Sequence, residues 1–197
     1  MTTDQDRAPE GATMSRELRN TMNFHVGDFI GVNNQNWDLF GHSHHANVIV
    51  DFGGQRRENV EDHLADMRGL LVQYPDMLVI RHDPNVAQGD WTATIASITG
   101  WGPGTVKFVT VAKWLDDKVT EEYLFTRVLS EDEAIAAESA EPTIVITTPD
   151  DKTLWLRAGI EPGWTCNVYG SGPGTKTAVF TRREDGKVVE RTAFAEV

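Results

Sequence analysis

The sequence predicts an α+β fold: helices packed in a strongly curved antiparallel meander, with an additional β-rich C-terminal segment. Three observations carry this. Val60, Leu64, Met67, Leu71 and Tyr74 recur at steps of four and three, which lines them up along one helical stripe. Pro75 ends the stripe, because the residue before a proline is pushed out of the helical region. Strand-like runs then follow at 77–82, 91–101, 105–115 and 119–129, separated by Pro84-Asn85, Gly102-Pro103-Gly104 and Asp116-Asp117, turn residues at spacings that suit a meander.

The remaining elements read in order. Residues 1–12 are polar and aperiodic, the composition of a disordered tail. Leu18, Met22, Val26, Phe29 and Ile30 give 14–32 a buried helical face, which Gly27 and Gly31 weaken. A short helix is expected at 37–40 and a short strand at 47–52, ended by Gly53-Gly54. The main domain is set at 13–130, an acidic linker at 131–142, and a β-rich extension at 143–197. Strands are expected there at 143–148, 152–158, 164–169, 175–183 and 187–194, with Asp185-Gly186 as the turn of the last hairpin. The extension can be a lid, an extra β layer, or an arm to a second subunit.

Composition narrows the partners. With 30 acidic and 18 basic residues in 197, the net charge of −12 repels phosphate backbones and anionic lipid, so neither nucleic acid nor membrane is expected as a partner. Cys166, the single cysteine, forms no internal disulfide and reads as a buried or half-buried thiol in a strand. The first dozen residues lack the apolar core of a signal peptide, and no apolar run approaches the roughly 20 residues of a membrane span. A cytoplasmic location is the expectation.

Tyr74-Pro75-Asp76 at the helix end, Gly89-Asp90 at a turn, and the hairpin Asp116-Asp117-Lys118-Val119-Thr120-Glu121 together resemble the SnoaL-like polyketide cyclase branch of the NTF2-like superfamily, over about 14–130. The resemblance implies a cone whose sheet wraps the first helix, an internal pocket for a small apolar molecule, no cofactor, and a homodimer formed through the sheet. In those cyclases an aspartate near the end of the last core strand is the general acid/base, supported by a histidine on the preceding strand. Aligned on the hairpin turn, these positions carry Arg127 and Thr110. A permanently charged guanidinium cannot take a proton as a carboxylate does, so the family's aldol mechanism does not transfer. Two readings stay open: isomerase-, dehydratase- or cyclase-type proton transfer on a small apolar carbonyl compound, or a ligand-binding or assembly domain without catalysis.

Strand alternation sets Phe108, Thr110 and Ala112 on one face and matches them with Glu121, Tyr123, Phe125 and Arg127 on the next strand. By the resemblance, this face lines the pocket. Arg127, with Tyr123, can hold a carboxylate or an enolate oxygen, or else form an ion pair with Glu121. His25 lies on the apolar stripe of the first helix, where desolvation keeps an imidazole neutral and suited to act as a base; a core histidine with one hydrogen bond is the plainer account. Asp28 can orient it or face solvent. Thr110, Phe108, Phe125, Trp101 and Trp114 are the expected substrate-binding residues, since aromatic walls suit a flat apolar ligand. His42, His44 and His45, with Asp38 and Asp51 nearby, lack the spacing of a metal site, so no metal is expected. His63 reads as a boundary residue of its helix, His82 as a strand end at the pocket mouth, and Asp83 as a turn residue.

Overall fold

Ser15 opens the first helix by accepting a hydrogen bond from the Leu18 N–H, which satisfies one orphan donor of α1 (Arg16–Val26). The computed structural model describes residues 14–148 and 162–196; the tail at 1–12 and the strand expected at 152–158 lie outside the described residues. Helix α1 runs into a π-helical stretch, Gly27–Val32, in which both glycines are buried. Gly31 lets the stretch pack closely on the next helix, since a Cβ there would stand a tight 3.2 Å from Phe40 Cβ. Asn33 then ties this stretch to the sheet, accepting from the Val79 N–H and donating to the Val79 carbonyl, both at 2.8 Å.

Asn36 and Asn59 cap α2 (Trp37–His42) and α3 (Val60–Gln73) by the same side-chain chemistry. The strands between and after them are β1 (His44–Phe52), β2 (Gln55–Arg57), β3 (Leu78–Gln88), β4 (Trp91–Thr99), β5 (Val106–Leu115) and β6 (Lys118–Phe125). They form one sheet in the order β2-β1-β6-β5-β4-β3, in which β1 runs parallel to β6 and every other pair is antiparallel. The β5–β6 turn is made by Asp116 and Asp117, both at positive φ, as a tight hairpin of this twist demands. At Gly100, with φ +76, a Cβ would meet the Asp76 carbonyl oxygen at 2.1 Å, so only glycine fits.

Pro84-Asn85 is not a turn. Strand β3 continues through it with a shift of register between His82 and Asn85. Proline is tolerated because β3 is an edge strand, where a missing N–H costs little.

The C-terminal part is a second sheet, β7-β11-β10-β9-β8, built from β7 (Arg127–Val128), β8 (Ile144–Thr147), β9 (Trp164–Tyr169), β10 (Thr177–Glu184) and β11 (Lys187–Ala195). The acidic segment contains helix α4 (Glu131–Ala137), started by a capping box between Ser130 and Glu133. Of the three possible roles for the extension, the extra β layer is the one observed. Val109, Val111, Tyr123 and Phe125 of the first sheet pack with Ile146, Trp164, Cys166, Phe180 and Phe194 of the second in one buried cluster. Cys166 lies inside it, and burial pushes its thiol pKa up. Ala134 of α4 covers the outer face with Tyr169, Val179 and Ala193. Buried Lys176 also pairs with Asp51 of β1, whose carboxylate takes two further bonds from Arg56 at 2.8 and 2.9 Å.

This packing bears on the expected dimer. The convex face of the first sheet, through which related cones were expected to pair, is covered within the chain by the second sheet. No described helix is long and apolar enough to cross a membrane.

Candidate active site

The concave side of the first sheet and the helices enclose a cavity. Val32, Phe40 and Met67 line it from the helices, Val79, Ile98 and Phe108 from the sheet, and Met77 and Trp101 from the connections. Its polar lining is Asp28, His63, Thr110 and Glu122. The cavity volume is about 40 Å³, room for roughly three water molecules. A larger guest requires side-chain movement, which Met67 and Met77 on the wall permit more readily than branched residues would.

Two carboxylate–imidazole arrangements meet this cavity. Asp28, in the π-helical stretch, accepts the Nε2–H of His82 at 2.9 Å. His82 comes from β3, its side chain is 1% exposed, and its Nδ1 has no hydrogen-bond partner. The His25 ring lies 4.9 Å from the His82 ring, and His25 Nε2–H points to Asn85 Oδ1 at 3.3 Å. Burial, then the nearby charge of His82, lower the pKa of His25 against the opposing pull of Asn85 and Asp28.

The second arrangement is deeper. Glu122 of β6 lies between His63 of α3 and His44 of β1, with its Oε2 3.2 Å from His63 Nε2 and 3.6 Å from His44 Nε2. All three residues are buried. Burial by itself raises the Glu122 pKa, and the two imidazoles more than reverse this, holding its carboxyl well below the usual carboxylate range. The His44 ring is fixed from behind: its Nδ1 lies 2.8 Å from the Phe40 carbonyl oxygen. A carbonyl only accepts, so a hydrogen is on Nδ1, and Nε2 is the ring atom turned to Glu122.

The expected site is brought together only in part. Thr110, Phe108 and Trp101 line the cavity. Trp114 borders a small adjoining recess with Phe24, Asp28 and His44, and its indole N–H donates to Thr92 Oγ1 at 2.9 Å. Tyr123 and Phe125 face the other way, into the core between the sheets. Tyr123 donates its hydroxyl to Glu121 Oε2 at 2.6 Å, and burial followed by that carboxylate raises its pKa. Arg127 is exposed, sits in β7 of the second sheet, and pairs with Glu133 at 3.0 Å; it cannot serve the cavity. The paired strands explain the slip. Thr110 is opposite Leu124 and Ala112 opposite Glu122, so the inward residues of β6 are Glu122 and Leu124, one position away from the expected set.

His25 is half-buried behind His82 and does not line the cavity. Asp28, for which a solvent-facing role was the simpler expectation, lines it. His63 is not a boundary residue but 2% exposed. His42 and His45 stay apart from His44, whose partners come from far along the chain. Asp83 pairs with Arg81.

No family model matches the sequence, and neither does any curated protein. Solved structures do match. A candidate SnoaL-like polyketide cyclase from Jannaschia sp. CCS1 is 22% identical, with 70% of this chain and 99% of that one covered at a TM-score of 0.51. A candidate ketosteroid isomerase from Kribbella flavida DSM 17836 is 18% identical, with 60% and 85% covered at a TM-score of 0.51. Bal32a, from a soil-derived mobile gene cassette, is 12% identical, with 56% and 90% covered at a TM-score of 0.50. At these identities the likeness defines the fold: the helix-filled cone of SnoaL-like and NTF2-like proteins.

Proposed function

We propose that the chain catalyses proton transfer on a small, mostly apolar carbonyl compound, in an isomerase-, dehydratase- or cyclase-type reaction. The observation that carries this is Asp28: a carboxylate on the wall of an apolar cavity, held by the N–H of His82. A base must be oriented and partly desolvated to remove a carbon-bound proton, and this one is both. The Nε2–H bond fixes one carboxylate oxygen, leaving the other to face the guest. Trp101, Phe108 and Met77 hold the apolar body. Thr110, a hydrogen-bonding group on the wall, suits the oxygen on which negative charge develops. Returning the proton to a different carbon gives isomerisation; loss of a β-hydroxyl gives dehydration. Arg127 has no part in this reading.

The loss of the acid/base aspartate of the related cyclases, whose position carries Arg127, favours one alternative, a cone that binds an apolar ligand without turnover. A panel of enolisable ketones and β-hydroxy ketones, incubated with the protein in D2O and followed by proton NMR, separates the two. Catalysed loss of an α-proton signal supports proton transfer; saturable binding without exchange supports the alternative. A panel that neither binds nor exchanges contradicts both.

A further inference from the structure

We propose that His44, His63 and Glu122 form a binding site for one divalent first-row transition cation of the zinc type. The inference is independent of Asp28, which belongs to the other carboxylate–imidazole arrangement.

The donor set comes from three separate elements, β1, α3 and β6, and one ligand atom from each lies within 4.8 Å of the other two. Two imidazoles and one carboxylate are a donor set for zinc or ferrous iron; calcium and magnesium prefer all-oxygen surroundings. His44 Nε2 faces the Glu122 carboxylate oxygen at 3.6 Å, longer than a good hydrogen bond, a gap that a cation held between the two would bridge. The bond from His44 Nδ1 to the Phe40 carbonyl is the support that metal-bound imidazoles ordinarily have.

A second observation is independent of the cluster's composition. His63 Nε2 and Glu122 Oε2 have no aligned hydrogen-bond partner, although their side chains are only 2% and 8% exposed. Buried polar atoms are rarely left in this condition, because each forfeits its hydration without replacement. The two atoms lie 3.2 Å apart, and a cation between them and His44 would give all three a partner. His63 and Glu122 also line the main cavity, so a further coordination position opens on the guest. A carbonyl oxygen bound there would be polarised as a Lewis acid polarises it.

The test is titration of the chelator-treated full chain with zinc chloride by calorimetry, and with cobalt chloride by visible absorption. One equivalent bound, with cobalt d–d bands of a low-coordinate site, is the expected result. His63→Gln and Glu122→Gln should each weaken binding at least tenfold, while H42Q and H45Q leave it unchanged. No saturable binding to the wild-type chain overturns the proposal without any variant being needed. Binding that survives H63Q and E122Q, or is lost in H42Q or H45Q, overturns it as well. The deuterium exchange that tests Asp28 is read separately, so either idea can fail alone.

Discussion

His82 donates its Nε2–H to the Asp28 carboxylate at 2.9 Å while its ring stands 4.9 Å from that of His25. The three residues come from the first helix, its π-helical continuation and β3, and they join the helix to the sheet at the cavity wall. Burial and the proximity of His82 both disfavour the protonated form of His25.

His25 should therefore titrate below its ordinary 6.5. The unfolded chain then takes up this proton first, so stability is full above 6.5 and falls as the pH drops from there to the folded-state value. Two-dimensional NMR of the ring protons checks the shift. Because His82 is one of its causes, His82→Gln should move the midpoint back upward; an unchanged midpoint contradicts the assignment.

Asp51 and Lys176 give a second pH dependence. Burial raises the Asp51 pKa, and the bonds and charges of Arg56 and Lys176 outweigh it, so the folded-state value lies below 3.8. Its contribution is present above 3.8 and lost as the pH falls through the folded value. Lys176→Met leaves that carboxylate with one partner and should cost about 3 kcal/mol at neutral pH. Urea midpoints of the two proteins should converge only as the pH falls below 3.8; a gap that stays constant down to full protonation of the carboxylates contradicts the pairing.

The second sheet makes a third prediction. Phe180 is fully buried where the sheets meet. Phe180→Ala should cost about 3–5 kcal/mol, read from urea unfolding. Two copies of the chain should also not pair through this face of the first sheet, which the second sheet covers; cross-linking of the chain in solution checks this. A dimer whose interface includes Val111 or Phe125 contradicts this.

The order of elements was legible because the α3 stripe and the turn residues leave periodic marks. The faces of β6 were not. Glu121-Glu122-Tyr123-Leu124-Phe125 shows no polar–apolar alternation, because helices bury one side of this strand and the second sheet buries the other. A register irregularity between Lys113 and Trp114 breaks the parity counted across the hairpin. Pro84 read as a turn because proline is a turn residue in most settings; an edge strand is the exception. His44, His63 and Glu122 are separated by long stretches of chain, so no local spacing could join them. The one available signal was that a glutamate on a strand buried on both faces needs a buried partner.

The central claim is that Asp28 removes a carbon-bound proton inside the cone. It is tested most directly by comparing wild-type protein and Asp28→Asn in D2O, on the ketone the panel identifies, with binding measured alongside exchange. The account predicts that D28N still binds the ketone and exchanges its α-proton at least about 100-fold more slowly. Exchange at the wild-type rate in a D28N protein that binds normally would contradict it.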